Sequence, residues 1–156
     1  MSKRLIIARG LPGSGKSTAC WNYCEIEQPA KFVMLSTDTF FTCVYTGVYK
    51  WVPHLLSEAH EWNKLCCLRT LHTGGYPLVF IDNTNIKRSH YQVYIDLAKT
   101  YGYSVGLLES STPWAWDVDE CFKRNAHGVP RGTISRMKEQ YEQDDRFETV
   151  RLPYEG

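Results

Sequence analysis

Gly10-Leu11-Pro12-Gly13-Ser14-Gly15-Lys16-Ser17-Thr18 stands between an apolar run, Leu5-Ile6-Ile7-Ala8, and a helix-compatible segment that extends from Lys16 to about Glu27 and ends before Pro29. The stretch satisfies G-x-x-x-x-G-K-[ST], with a strand before it and a helix after it, the context that this motif needs. Glycines at 10, 13 and 15 let the backbone curl so that successive N–H groups point inward, and the start of the helix adds positive potential at the same place. Such a cradle takes the phosphates of a nucleoside triphosphate. Gly13, Ser14, Gly15, Lys16, Ser17 and Thr18 are the expected binding residues: Lys16 reaches the β- and γ-phosphates, Ser17 offers its hydroxyl to Mg²⁺, and Thr18 meets an α-phosphate. A Gly-rich turn with no ligand is the bland alternative. The chain has no Asn-Lys-x-Asp tetrapeptide for guanine, so ATP is preferred over GTP.

Outward from this loop, strands and helices alternate. Lys31 to Ser36 reads as a second buried strand and Ser57 to about Leu71 as a helix ended by Gly74-Gly75. Pro77 to Ile81 reads as a central strand, Ser89 to Lys99 as a helix, Tyr103 to Leu108 as a fourth strand and Trp114 to Asn125 as a helix. Ala126 to Gly132 breaks the helical pattern, and Ile134 to about Gln143 resumes it. This order predicts a three-layer α/β/α fold of the P-loop NTPase type, with a mostly parallel sheet, a helical lid and ligands beyond the carboxyl ends of the strands. With 156 residues and no repeat or linker, one domain over 1–156 is expected.

Composition narrows the class. A hydrophobic fraction of 43% with 22% charged residues is that of an ordinary soluble protein, and no apolar run approaches a membrane span. The amino terminus is too short for a signal-peptide core, so a cytoplasmic setting with reduced thiols is expected. Cys20, Cys24, Cys43, Cys66, Cys67 and Cys121 show no zinc-type spacing, and Cys20 and Cys24, on one helical face, read as buried small hydrophobes. A net charge of +1 gives no electrostatic reason to wrap long nucleic acid, but leaves open a strand end.

Two aspartates carry different expectations. Asp82 follows the apolar run Leu78 to Ile81, the pattern of a residue that holds the metal through water; a loop-capping role fits the same pattern, and Asn83 and Asn85 are alternative sources of polar contacts. Asp38 follows the second strand, where a carboxylate can take the proton of an acceptor hydroxyl; a helix N-cap fits it equally.

Taken together, the phosphate loop with Arg9, Ser36-Thr37-Asp38, Ile81-Asp82-Asn83-Thr84-Asn85 and Lys123-Arg124-Asn125 followed by Gly128-Val129-Pro130 resemble the polynucleotide 5′-hydroxyl kinase family, over residues 3–142. The likeness extends to phage-type kinase domains and related animal ones. It implies that Asp38 is the general base, that Arg124 belongs to a lid over ATP, and that the acceptor is the 5′-hydroxyl end of DNA or RNA. Lys16, Asp38 and Arg124 are thus the expected catalytic residues, and Ser17 and Asp82 the metal ligands. Phe40 and Phe41 stand where phage-type members place an arginine, and Ala126-His127 stand where a second lid arginine is usual, with Arg131 or Arg136 as substitutes. His127 is read as a loop histidine without a proton-transfer role.

Phe40, Phe41, Tyr45, Tyr49, Trp51, His54 and Trp62 form an aromatic insertion on the acceptor side, and Tyr45, Tyr49 or Trp51 are candidates for base stacking against the alternative of core packing. A small-molecule or nucleoside kinase and an ATP-binding module without transferase activity are the competing functions.

Overall fold

The computed structural model describes residues 2–42 and 46–154, so the expectations placed on Cys43 and Tyr45 lie outside the described residues. Along them run β1 Arg4–Arg9, α1 Lys16–Glu27, β2 Phe32–Leu35, α2 Leu56–Thr73, β3 Leu78–Asp82, α3 Arg88–Thr100, β4 Ser104–Glu109, α4 Val118–Arg124, α5 Arg131–Gln140 and β5 Thr149–Arg151. The sheet order is β2-β3-β1-β4-β5, and all its described pairings are parallel.

β1 is central, and its side chains alternate between two cores. Leu5 and Ile7 join Val79, Ile81 and Leu107 beneath Cys67 and Leu71 of α2 and Tyr91 and Ile95 of α3. Ile6 and Ala8 join Phe80 and Leu108 against Ala19, Cys20 and Tyr23 of α1. Helices therefore cover both faces, and β1 and β3 read as continuous apolar runs because neither face meets water. Full burial of each Leu, Ile or Phe is worth roughly 1.5–3 kcal/mol, which holds the strands in register. That register sets Ala8 beside Asp82 and Arg9 beside Glu109, so the carboxyl ends of β1, β3 and β4 open on one edge. Cys20 and Cys24 are buried, and burial pushes both thiols up, away from metal or redox chemistry.

The expected helix over 114–125 is cut to Val118–Arg124. Asp117 takes the Glu120 amide at 3.1 Å and caps the helix there, while the residues before it close two turns, Ala115 N–H to Thr112 O and Asp117 N–H to Trp114 O. α5 starts earlier than the periodicity implied, at Arg131 directly after Pro130, a residue whose fixed φ suits the entry to a helix. β5 carries too few residues for a strand signal and exists through its pairing with β4. Among the described residues, no helix is long and apolar enough to cross a membrane.

Candidate active site

The phosphate loop is held from outside. Ser110 and Thr112 hydroxyls each donate to Ser14 O at 2.7 Å, the Trp114 indole donates to Gly13 O at 3.1 Å, and the Lys16 ammonium donates to Leu11 O at 3.0 Å. Of the loop amides, those of Gly10 and Ser14 donate to Thr84 O at 3.0 Å and Leu11 O at 3.1 Å. Gly13 and Gly15 take φ of +77° and +100°, open to glycine alone at low strain, and a Cβ on Gly13 would lie 2.2 Å from Cys121 O. α1 begins at Gly15 with no side-chain cap and no acidic residue in its first turn, so the amides of Lys16, Ser17 and Thr18 are left for a ligand. The Ser14 hydroxyl is buried without a partner. A triphosphate tail, rich in acceptors and negative charge, fits this lining.

Around Lys16 the charges converge. The residue is partly exposed, but burial of its ammonium pushes the pKa below the ordinary 10.5, opposed by the negative charges of Asp82 and then Asp38. Two carboxylates, one at the end of β3 and one in the segment after β2, thus act on the same lysine. Ser17 Oγ donates to Asp82 Oδ2 at 2.8 Å, a hydroxyl and a carboxylate side by side at the mouth of the loop. Asn83 and Asn85 have turned to other work. Asn83 Oδ1 accepts the Thr37 amide at 2.9 Å and ties β3 to the segment after β2. Asn85, with φ +49°, is buried and its amide donates to Ala8 O at 2.7 Å and Ile81 O at 3.2 Å, which locks the ends of β1 and β3 together.

Asp38 lies in a 3-10 turn, Thr37–Phe41, and the cap of that turn is Ser36, whose Oγ accepts the Asp38 amide at 3.2 Å. The N-cap reading of Asp38 is corrected by this: its carboxylate is spared and half-exposed. It meets Tyr49, whose phenol is pushed up from 10.0 by burial and by the neighbouring Asp38 charge, and His127, whose Nε2 lies 3.6 Å from Oδ2. The aromatic insertion packs largely on itself. Phe40 meets Phe41 and Trp62, and the buried Phe41 meets Tyr49 and Trp51, while Trp51 stays 46% exposed. A groove of about 270 Å³ runs outward from there past Phe40, Phe41, Val48, Lys50 and Leu55.

The lid is α4, the loop 125–130 and α5, packed through Leu11, Ile86, Cys121 and Ile134. Arg124, at the end of α4, rests 3.6 Å above the Trp114 ring, the same ring that holds Gly13 O, and its Nε donates to Glu120 Oε1 at 3.1 Å. It is thus brought to the flank of the phosphate loop. Arg131 and Arg136 are not: Arg131 pairs with Asp119, and Arg136 donates to Thr133 at 3.2 Å. A cleft of about 390 Å³ opens beside Thr18 and Asn22, closed by Ser110, Leu152 and Tyr154.

Several supports escaped the sequence. Ser110 and Thr112 are the outer brace of the loop, and the polar run at the end of the fourth strand was their signal. Arg9 is buried, with bonds to Asn85 O at 2.8 Å, Ile86 O at 3.0 Å and Glu142 O at 2.6 Å, and its guanidinium lies over the rings of Tyr91 and Tyr141. It roots the lid on the sheet, and nothing in its local pattern says so.

Known proteins resemble this arrangement. Human NEDD4-binding protein 2 is 37% identical over 146 residues, 94% of this chain and 8% of that protein. Rat 2′,3′-cyclic-nucleotide 3′-phosphodiesterase is 26% identical over 149 residues, 91% of this chain and 32% of that protein. The chain therefore spans a third or less of the length of these relatives. Among solved structures, the Mycobacterium tuberculosis APS kinase CysC with AMPPNP and APS superposes with a TM-score of 0.61 at 13% identity, covering 99% of this chain and 91% of that one. The Pnkp1/Rnl/Hen1 complex matches with a TM-score of 0.57 at 24% identity, covering 79% of this chain and 39% of that one. These likenesses show a P-loop kinase-like fold. Residues 5–143 match the family model described as an AAA domain, and to that family the chain belongs.

Proposed function

We propose that this chain is an ATP-dependent kinase that transfers the γ-phosphate to a hydroxyl, in first place the 5′-hydroxyl of a polynucleotide. The observation that carries the reading is the hydrogen bond from Ser17 Oγ to Asp82 Oδ2 at 2.8 Å at the mouth of the phosphate loop, with the charges of Asp82 and Asp38 both acting on Lys16 beside it. Lys16 would neutralise charge on the leaving β,γ-bridge, Asp38 would accept the acceptor proton, and catalysis would be mainly positioning and electrostatics. Ser17 and Asp82 are hard oxygen donors and fit Mg²⁺, which takes few protein ligands and completes its shell with phosphate oxygens and water. Bound there, the ion supplies charge neutralisation at the phosphates. The cleft of about 390 Å³ beside Thr18 and Asn22 would take the base, and Arg124 would reach the phosphates from the flank of the loop.

The 5′-end preference draws on the family resemblance, on the half-exposed Asp38, and on the groove lined by Phe40, Phe41 and Lys50 in the segment that follows it. A small-molecule acceptor is the second reading, favoured by Phe40 and Phe41 in place of an acceptor-side arginine.

The test uses γ-labelled ATP with 5′-hydroxyl oligonucleotides, nucleosides and nucleoside monophosphates, comparing wild type with Asp38→Asn. Label on oligonucleotides, reduced at least a hundredfold in Asp38→Asn, is the expected outcome. Label on small acceptors alone transfers the assignment to the second reading. ATP binding without label on any acceptor overturns the kinase proposal.

A further inference from the structure

The lid carries one side chain to the far side of the cleft, and it is a histidine. Asn125 shapes the loop that presents it: its Oδ1 accepts the Val129 amide at 2.8 Å and its Nδ2 donates to Phe122 O at 2.7 Å, while Gly128, at φ +68°, makes the turn. His127 stands at the tip. Its ring packs on Tyr49 with centroids 4.1 Å apart, and Nε2 lies 3.6 Å from Asp38 Oδ2. The two groups come from segments far apart in the chain, one after β2 and one between α4 and α5, and meet across the site.

We propose that His127 is a positioning and relay partner of Asp38: with the lid down, its imidazole orients the carboxylate and takes over the proton that Asp38 removes from the acceptor. This rests on the kinase reading and adds to it the fate of the proton. The acceptor oxygen bonds to the γ-phosphorus, the bond from that phosphorus to the β,γ-bridge oxygen breaks, and ADP leaves. The hydroxyl proton goes to Asp38, from there to Nε2 of neutral His127, and then to water. Side-chain exposures of 49% for Asp38 and 38% for His127 suit that route, because a seated acceptor covers the open side of Asp38 while the histidine still reaches solvent. A relay on the lid also couples the chemistry to closure, which limits attack by water on ATP in the open form.

Among the described residues, charged and titratable groups meet the dyad from several elements. Lys16 acts on Asp38 from the phosphate loop, Tyr49 faces both partners from the 46–52 segment, and on the lid Arg124 is engaged by Glu120 and Trp114 and Arg131 by Asp119. A neutral imidazole can accept a proton, whereas an imidazolium pairs with Asp38 and weakens it as a base. Turnover therefore falls when the imidazole carries a proton before the acceptor arrives.

The test measures kcat and KM for ATP and acceptor from pH 5 to 9 in wild type, His127→Gln, His127→Ala and Asp38→Asn, with thermal denaturation of each. His127→Gln keeps polar groups but cannot relay; kcat should fall roughly ten- to a hundredfold at neutral pH, with KM for ATP within about twofold and the rise of kcat with pH lost. Added imidazole should restore part of the rate to His127→Ala. A histidine that only latches the lid would instead raise KM, leave the pH profile in place and ignore imidazole, which overturns the relay. Unchanged kcat in both His127 variants overturns it too. Absence of transfer to any acceptor by the wild type sinks the kinase reading itself, and an unaffected Asp38→Asn sinks the base role of Asp38, so the failures are distinct.

Discussion

Gly13 and Gly102 share a φ of +77°, and the comparison of their alanine variants isolates the fit between the phosphate loop and the lid. In each, a Cβ in the left-handed region costs about 1–2 kcal/mol. At Gly102 a Cβ meets nothing within 4 Å, so Gly102→Ala pays that penalty alone. At Gly13 the new atom lands 2.2 Å from Cys121 O and 2.8 Å from Asn125 N, both backbone, and α4 or the loop must move by more than an ångström. Overpacking of this kind adds about 1–3 kcal/mol. Gly13→Ala should therefore lose about 2–5 kcal/mol in total, and in a chain of this size should melt roughly 2–12 °C below Gly102→Ala. The assay is thermal unfolding of both variants, with ATP affinity measured alongside. Gly102→Ala should bind ATP as wild type does, and Gly13→Ala should bind it at least tenfold more weakly. Equal melting temperatures and equal affinities would refute the close packing of loop on α4 on which the lid argument depends.

Other perturbations follow from the same geometry. Lys16→Met should abolish transfer yet raise the melting temperature of the ligand-free protein at neutral pH: burial holds the Lys16 pKa below 10.5, so the folded state carries a penalty that is full at low pH and fades as pH rises toward that value; a variant less stable than wild type at pH 7 counts against it. Arg9→Met should cost about 3–5 kcal/mol in urea unfolding, since three carbonyls lose their donor and the base of the lid its anchor. The Asp144 carboxylate accepts Arg146 and the Tyr91 hydroxyl, and Arg146 holds its pKa well below 3.8; its contribution is present above that value and lost as pH falls further, so Asp144→Asn should be less stable at pH 7 and less sensitive to acid, as read by unfolding from pH 2 to 7.

The order of strands and helices and the phosphate loop were legible in the chain because they rest on neighbours. Glycines at 10, 13 and 15 meet positive φ within a few residues of one another, α1 runs from Lys16 to Glu27 as its pattern implied, and the apolar run Leu78 to Ile81 announced a buried strand whatever packs on it. The nature of the Asp38 site was not legible in this way: a carboxylate after a strand is equally a cap, and it took the Ser36 hydroxyl to show that the cap is elsewhere. Packing also decided that Asn85 bridges strands, that Arg9 roots the lid and that His127 meets Asp38 and Tyr49. Each of these joins residues far apart in the chain, and such contacts depend on how the sheet register and the lid loop bring surfaces together. Backbone preference and periodicity act over a few residues and are written locally; an encounter across a cleft is fixed by the sum of the packing and leaves no mark in the spacing of either partner.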